Sequence, residues 1–343
     1  MAEKTTQNPT LLVSADHGNR KRKQKVTRIG VGEKTKIKVS DSGLQFTREG
    51  FEIDPAQSDV FYCKHSTSKT WRDKCWYETS KGLHPYDLNG SELCFGDTGK
   101  SVMALPLLIS GIWDEIKDGD VVALNASVQN IHTNRSPMTA ELEGTHTIIC
   151  NGKVKRITIL KPDIYTEGVG ALLVQKPKRD DVSMLLDLGG DTVIVSFFDG
   201  VKLRGNVTVT PGLGVNQLIA YVRDLPEVNT ILGRCPYNND EALEIIEGRT
   251  EKDFTQAIEK AVVCWIDRIK TAVLNTLSFE MHSSNNRYAI GGGADIKGVE
   301  KALKALKIDV IPSPQMANVT GLHDKLLNQY GLTPVKTTKK AKA

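Results

Sequence analysis

The sequence predicts an α/β fold built from two similar lobes around a cleft. The first observation is the order of elements: strand patterns precede helix patterns early in the chain, and this order restarts near residue 183. The second is a pair of turns, at residues 14–19 and 186–192, in which an apolar run ends in an aspartate and a glycine turn. One such turn in each half predicts two related lobes, each with helices covering a sheet.

The first half of the chain contains mainly strand patterns. Residues 11–15 form an apolar run typical of a buried strand, and residues 26–39 form strand pieces around a Gly-Glu-Lys turn. Residues 61–83 mix aromatic and polar residues without a clear period, so we expect a loop-rich insertion there. The remaining patterns predict a helix over 102–116 and strands at 121–124, 146–150 and 157–160.

The second half repeats the order of strands before helices. Strand patterns at 184–187, 192–198 and 202–210 include a hairpin around an Asp-Gly turn. A helix follows residues 211–214, and apolar residues at helical spacing from Phe254 to Val273 predict a long one. A last helix over 299–306 and a strand at 308–311 are expected before the end of the chain.

These patterns predict the domain organisation. We expect a disordered leader over 1–10, a first lobe over 11–180 that is rejoined by 310–333, and a second lobe over 181–309. The basic, threonine-rich segment 334–343 is expected to be a disordered tail.

Composition narrows the class of protein. The 343 residues are 39% hydrophobic and 25% charged, as in ordinary globular proteins. The net charge of +4 is small for a chain of 343 residues, and the excess of basic residues lies largely in 20–23 and 336–342. This small net charge argues against direct nucleic-acid binding. The 6 cysteines form no C-x-x-C pair. Residues 1–9 lack the apolar core of a signal peptide. No apolar run approaches the roughly 18 residues that a membrane span needs. We expect a cytoplasmic protein with reduced thiols and no transmembrane segment.

The two aspartate turns have the chemistry of a phosphate site. Glycine leaves backbone N–H groups unpaired and lets a phosphate approach closely, because no side chain intervenes. Asp16 and Asp187 suit the water shell of a magnesium ion, since magnesium keeps several of its waters. Asp16 has an alternative use, in which its carboxylate caps the backbone of its own turn.

Two further glycine clusters precede helical patterns. Gly291 to Gly293 and Ala294 follow an apolar run, and a flat ligand such as a nucleoside would rest against this backbone; the alternative is a tight strand-to-helix junction. Gly212 and Gly214 precede a helix whose N-terminus suits an anion, although a plain turn explains them equally.

Residues 96–101 end like a P-loop, but we do not assign nucleotide binding to them. Cys94 occupies the position of the first glycine in G-x-x-x-x-G-K-S, so the loop lacks a glycine that lets the backbone N–H groups surround a phosphate. Residues 91–95 are also a weak candidate for the buried strand that a P-loop follows.

The order of the motifs resembles the actin, sugar kinase and heat-shock chaperone superfamily, and within it the ParM-like bacterial actins. Residues 16–19 resemble the first phosphate loop, 187–192 the second, and 290–294 the adenosine loop. Residues 162–172 resemble the segment in which ParM-like proteins place a glutamate that orients the attacking water, and 314–322 resemble their closing segment. The resemblance spans nearly the whole chain. It implies an actin-like fold, with a mixed sheet flanked by helices in each lobe and a nucleotide cleft between the lobes.

The resemblance also implies roles for individual residues. Glu167 would orient water and act in catalysis with Asp187, and Asp16 and Asp187 would hold Mg²⁺ through water. Glu167 has an alternative explanation, because a carboxylate at a helix start is favoured by the helix dipole. The contacts with ATP are assigned to Asp16, Gly18, Asn19, Lys23, Gly189, Gly190, Asp191, Thr192, Gly212, Gly214, Gly291, Gly292, Gly293 and Ala294.

The chain departs from the family after the first aspartate turn. The family usually has small or hydroxyl residues there, whereas residues 20–23 are all basic. Either Lys23 or a neighbour neutralises the β- and γ-phosphates as a point charge, or the four charges face water. His17 has two alternatives as well, a phosphate contact or a position away from it along the hairpin.

The predicted function is that of an ATP hydrolase which polymerises into filaments in a nucleotide-dependent way. The resemblance implies plasmid DNA segregation through a small DNA-binding adaptor, or a role as a bacterial cytoskeletal element. Two alternatives stay open: a small-molecule kinase of the same superfold, and a structural filament with weak or no ATP hydrolysis. Trp71, Trp76 and Trp113 are either contacts for a partner or part of the core.

Overall fold

The computed structural model describes residues 8–18, 21–30, 34–46, 54, 58–78 and 96–334. The chain divides into two compact units, residues 1–167 with 319–343 and residues 168–318. The predicted first lobe runs to residue 180 and resumes at 310. In the structure the first unit instead ends at residue 167 and resumes at residue 319. Within the described ranges, no helix combines the length and the apolar character that a membrane span requires.

The first unit contains a mixed sheet of ten strands in the order β3-β2-β1-β7-β9-β8-β5-β6-β4, with β10 paired to β7. The bounds are β1 (Leu11–His17), β2 (Lys21–Arg28), β3 (Thr35–Asp41), β4 (Leu44–Phe46), β5 (Val60–Ser66), β6 (Lys74–Glu78), β7 (Val121–Val128), β8 (Gly144–Cys150), β9 (Lys153–Ile159) and β10 (Asp163–Thr166). Strands β1, β9 and β10 all run parallel to β7, whereas β2 and β3 continue from β1 as antiparallel hairpins.

The second unit contains a mixed sheet of five strands in the order β13-β12-β11-β14-β15. The bounds are β11 (Val182–Leu188), β12 (Thr192–Asp199), β13 (Lys202–Pro211), β14 (Asn286–Ile290) and β15 (Asp309–Val310). Strands β11 to β13 form antiparallel hairpins, and β14 runs parallel to β11. The order β13-β12-β11-β14 therefore repeats the order β3-β2-β1-β7 of the first sheet, as two similar lobes require.

Helices flank both sheets. In the first unit these begin with α1 (Gly96–Val102), α2 (Ala104–Ile112) and α3 (Ile131–Leu142). The second unit contains α4 (Val169–Gln175), α5 (Val215–Asp224), α6 (Pro226–Leu232), α7 (Asn239–Ile246), α8 (Thr255–Ile269), α9 (Ser278–Ser283) and α10 (Val299–Ala305). Most of the last helix, α11 (Ala317–Gln329), belongs to the first unit. The long helical pattern ends earlier than predicted, because α8 passes into a π-helical segment, Lys270–Leu274. A 3₁₀ segment, Gly292–Asp295, follows β14.

The expectation of a loop-rich insertion at 61–83 is wrong for its described part, which forms strands β5 and β6. The register of β5 against β8 shifts between Cys63 and His65, and such a bulge breaks the two-residue period on which strand prediction depends. Residues 79–83 lie outside the described part of the chain.

An aromatic cluster forms the centre of the first core. The rings of Phe61 and Trp76 stack at 5.6 Å between centroids, and Trp71 and Trp113 meet this pair edge-on at 5.8 and 5.5 Å. All three tryptophans are buried. They therefore belong to the core rather than to a surface for a partner.

Helix α11 is attached to the first sheet by buried polar contacts. His323 Nε2 lies 2.8 Å from Thr27 Oγ1 on β2, and His323 Nδ1 lies 3.2 Å from Ser14 Oγ on β1. Asn125 on β7 donates to the carbonyl of Leu322 at 3.0 Å. Burial, together with the charge of Lys25, lowers the pKa of His323 to about 3, so its imidazole is neutral in the folded protein at neutral pH.

This histidine should make the protein less stable in acid. Its pKa falls from 6.5 in the free side chain to about 3 in the fold, so between these values the unfolded chain binds more protons. The free energy of unfolding therefore decreases as the pH falls below 6.5. His323→Gln should lower stability by about 1–3 kcal/mol at neutral pH, through lost bonds to buried hydroxyls. On acidification to about pH 5, this variant should then lose less stability than the parent, as measured by thermal unfolding.

His132→Gln is the matched control, because His132 is an exposed histidine of the same unit. It should leave both the stability and its pH dependence unchanged. Equal acid sensitivity in His323→Gln and the parent would show that this imidazole is not the group that titrates.

Candidate functional site

Asp16, near the end of β1, is a buried carboxylate with a partner on each neighbouring strand. Ser127 Oγ on β7 donates to Asp16 Oδ1 at 2.9 Å, and Lys23 Nζ on β2 donates to Asp16 Oδ2 at 3.2 Å. Ser127 and Lys23 are also the register partners of Asp16 in the two strand pairs, so the three side chains share one face of the sheet. Gly18 N, beyond the end of β1, donates to Lys21 O at 3.0 Å; Asn19 lies outside the described residues.

The basic residues after this turn do not all face water. Arg22 is 1% exposed, forms an ion pair with Glu78, and bonds Ser40 Oγ through Nε at 2.6 Å. Lys21 pairs with Asp41 at 2.5 Å near the surface. The alternative in which every charge is solvated is therefore excluded for Arg22, because β2 directs that side chain into the covered side of the sheet. Arg20 lies outside the described residues.

His17 lies on the face of the sheet opposite Asp16. Its Nε2 is 3.2 Å from Nε2 of Gln24, and that amide also donates to Leu107 O in α2 at 3.1 Å. Burial first, and then the charge of Arg22, lower the pKa of His17 to about 3. The imidazole is thus a neutral group packed beside α2, in agreement with the alternative that directs it away from a phosphate.

Glu167 follows β10 at the edge of the sheet near which Asp16 lies on β1. Thr166 pairs with Val128 on β7, and Glu167 N donates to Val128 O at 3.2 Å. Because β1 and β10 are both parallel to β7, their carboxyl ends meet at one edge. Gly168, with φ +90°, then caps α4, so Glu167 stands between a strand and a helix.

The carboxylate of Glu167 is bonded by Lys100, which belongs to the segment that ends like a P-loop. Lys100 Nζ lies 2.7 Å from Glu167 Oε1, and the two side chains are only 7% and 14% exposed. Lys100 lies within α1, which packs against α3 and β7. The segment therefore provides a buried cation for Glu167.

Sequence reasoning missed three polar residues near this edge: Ser127, Gln129 and Lys100. Gln129 follows β7 and is 8% exposed, and its Nε2 has no hydrogen-bond partner within the part of the chain that the structure describes. No motif marks Ser127 or Gln129, whose only signal was their place in or after the buried strand at 121–124, which extends to Val128 in the structure. Lys100 lies in the segment that ends like a P-loop, but its bond to Glu167 depends on packing between segments that are distant in sequence.

In the second unit, Asp187 lies one residue before the end of β11, and a glycine turn closes the hairpin to β12. Gly189 N donates to Thr192 O at 3.0 Å. The carbonyls of Gly189, Gly190 and Asp191 accept bonds from the N–H groups of Val215, Asn216 and Gly214 at 2.9, 2.8 and 3.1 Å.

The first amides of α5 are therefore engaged by the turn itself. A Cβ at Gly214 would lie 2.6 Å from Gly190 O, so this glycine allows the helix to pack on the turn. Gly212 has φ +72° and open space around it, as in a plain turn. A phosphate contact at these two glycines stays a prediction.

The glycine cluster after β14 packs directly on Asp187. Strand β14 is parallel to β11 with Ile290 opposite Asp187, so Gly291 emerges beside that carboxylate. Gly291 has φ +91° and ψ 168°, a region that is essentially restricted to glycine, and a Cβ there would lie 2.3 Å from Asp187 Oδ1. Gly293 and Ala294 form the following 3₁₀ segment, where a Cβ on Gly293 would lie 2.8 Å from the ring of Trp265. Two motifs distant in sequence thus form one surface.

Among the described residues, no group of three or more His, Cys, Asp or Glu side chains could hold a metal directly. Asp16 already accepts bonds from Ser127 and Lys23 on its two oxygens. This chemistry fits contact with Mg²⁺ through the waters that the ion retains.

Solved structures share this architecture over nearly their whole length. A crystal structure of Ta0583, an archaeal actin homolog, superposes with a TM-score of 0.69 at 16% identity, covering 93% of this chain and 99% of that one. Bacillus thuringiensis ParM with ATP gives 0.67 at 17% identity, with 94% and 100% covered. Apo psk41 ParM gives 0.61 at 14% identity, with 94% and 99% covered. No protein-family model and no curated protein matches the chain.

The chain therefore has the actin-like fold found in ParM and in the archaeal actin homolog, of class α/β with two mixed sheets flanked by helices. This agrees with the fold that the order of its motifs predicts.

The close contact between Gly291 and Asp187 predicts that replacing this glycine lowers the thermal stability of the protein. Gly291→Ala would strain the backbone at a cost of about 1–3 kcal/mol and would displace the carboxylate. Gly292→Ala is the control, because its Cβ would meet only Gln315 Nε2 at 3.6 Å. Thermal unfolding should show a lower midpoint for the first variant and little change for the second. Equal midpoints in the two variants would contradict the packing described here.

Proposed function

We propose that this chain is an actin-like ATPase that assembles into filaments in a nucleotide-dependent way. The observation that carries the proposal is the match over more than nine-tenths of the chain to ParM and to an archaeal actin homolog, one of them determined with ATP. The aspartate turns support it, because each aspartate lies one residue before the end of the equivalent strand of its sheet: Asp16 on β1 and Asp187 on β11.

The residues of the first unit suit phosphate chemistry. Glu167 is a carboxylate at the sheet edge that would orient the attacking water, and Asp16 would contact the water shell of Mg²⁺. A bound Mg²⁺ neutralises charge on the β- and γ-phosphates. Lys23, whose ammonium lies on Asp16, would add a second positive charge for the phosphates.

The residues of the second unit suit close backbone contact. Asp187 would contact the water shell of Mg²⁺, with the turn of Gly189, Gly190, Asp191 and Thr192 beside the phosphates. Gly291 to Gly293 carry no side chains, so a nucleoside could rest against their backbone. Contacts from Gly18 and Ala294 belong to the same proposal, as do those from Gly212 and Gly214.

A cellular role follows from the same proposal. Filaments of this kind would move plasmid DNA through a small DNA-binding adaptor, or would serve as a cytoskeletal element in the cytoplasm. The adaptor rather than this chain would contact DNA, in keeping with a net charge of only +4.

One observation favours a second candidate, a structural filament with slow or no hydrolysis. Asp16 is already engaged on both of its oxygens, by Lys23 and by Ser127. If the pair with Lys23 persists when nucleotide binds, Asp16 is not available for its proposed contact with the water shell of Mg²⁺.

Electron microscopy and sedimentation separate the two candidates. The purified protein should form filaments with ATP and Mg²⁺, and few or none with ADP or without nucleotide at equal concentration. Filaments in all three samples would support the structural filament instead. Absence of filaments at every concentration, with transfer of phosphate to a small molecule, would support a kinase.

Hydrolysis tests the role of Glu167. Glu167→Gln should slow phosphate release by about 100-fold or more, because the amide cannot accept a proton from water. ATP affinity should stay near that of the parent, and filaments formed with ATP should persist longer. Glu143→Gln is the control, since Glu143 is an exposed carboxylate of the same unit. Undiminished phosphate release from Glu167→Gln would remove Glu167 from the mechanism.

A further inference from the structure

The ion pair between Lys100 and Glu167 needs an explanation beyond stability. Its Nζ–Oε1 distance is 2.7 Å, and both side chains are largely removed from solvent. Removing two charges from water costs several kcal/mol per ion, which their attraction only partly offsets. A buried pair is therefore weak evidence of a stabilising role, and its position in the fold is the better guide to its use.

The pair lies at the sheet edge that carries the proposed chemistry. Glu167 follows β10, whose neighbour β7 presents Ser127 to Asp16. Burial is the main cause of the lowered pKa of His17. The positive charges of Arg22, Lys100 and Lys23 lower this pKa further, whereas the negative charge of Asp16 raises it. The charge of Lys100 therefore acts on the end of β1 as well as on Glu167.

The bond itself restricts the carboxylate. Glutamate has three rotatable side-chain bonds, and its backbone here is followed by Gly168 in the left-handed region at φ +90°. Lys100 reaches Glu167 from α1 and bonds one oxygen, Oε1. A carboxylate fixed through one oxygen can direct its second oxygen at a water, and misplacement by about 1 Å can cost about 100-fold in rate.

We propose that Lys100 is a positioning residue for ATP hydrolysis, whose ammonium orients the Glu167 carboxylate toward the attacking water. This inference rests on the proposed function, because it concerns the same reaction. The group transferred is the γ-phosphoryl, from the β-phosphate oxygen to water, and Glu167 accepts the proton of that water. Lys100 remains protonated throughout and forms no covalent bond.

The test is a double-mutant cycle with steady-state kinetics. Lys100→Met keeps the length of the side chain and removes the charge, Lys100→Arg keeps the charge, and Glu167→Gln removes the carboxylate. Lys100→Met should lower kcat by about 10- to 100-fold with KM within about twofold of the parent. Lys100→Arg should recover a large part of kcat. Lys153→Met, at an exposed lysine of the same unit, is the control and should behave as the parent.

The double variant distinguishes positioning from other roles. In the Glu167→Gln background, Lys100→Met should cause no further loss of kcat, because the carboxylate that Lys100 orients is already absent. This double variant also removes both charges of the buried pair, so it should fold even if Lys100→Met alone does not. Thermal unfolding of every variant shows whether the comparison is between folded proteins.

Three results would overturn the inference. A raised KM, with a loss of kcat that persists in the Glu167→Gln background, would make Lys100 a direct phosphate contact. Unchanged kcat and KM with a lower melting temperature would make it a structural residue only. A parent protein that hydrolyses no ATP would reject the proposed function and the positioning role together, whereas the first two results reject only the role of Lys100.

Discussion

The parallel pairing of β1 and β10 with β7 is the constraint on which the first unit depends. Strand β7 provides Ser127 to hold Asp16 on one side and a carbonyl to bond Glu167 N on the other. Because all three strands run in the same direction, residues from distant parts of the sequence end at one edge of the sheet. A shift of one residue in either pairing would turn Asp16 or the residues before Glu167 to the opposite face.

Charge balance is the second property of this edge. Asp16 and Glu167 each lie next to a lysine, so two acids are placed in a poorly solvated region without an uncompensated negative charge. Under the proposed function, a triphosphate at this edge would meet two ammonium groups as well as two carboxylates. Lys23 and Lys100 are therefore the two residues whose substitution would change the charge of this edge most directly.

Local patterns predicted most of the strands and both aspartate turns, whereas long-range pairing could not be predicted. An apolar run followed by an aspartate and glycine revealed both Asp16 and Asp187, because that signal lies within a few residues. The bond from Lys100 to Glu167 joins segments 67 residues apart, and it requires that α1 pack on β7. Strand β5 was missed because its bulge interrupts the alternation, and the burial of Arg22 because its partner Glu78 lies on another strand.

The two units share one strand order, but different groups surround the aspartate near the end of the equivalent strand. In the first, the strand-end aspartate is surrounded by side-chain partners, Ser127 and Lys23. In the second, Asp187 is approached by backbone, because Gly291 lies so close that a Cβ would lie 2.3 Å from its carboxylate. A glycine at φ +91° beside Asp187 admits almost no replacement, because a side chain there would overlap the carboxylate. The two aspartates are therefore held in different ways, Asp16 by side-chain hydrogen bonds from neighbouring strands and Asp187 by close packing of the backbone at Gly291.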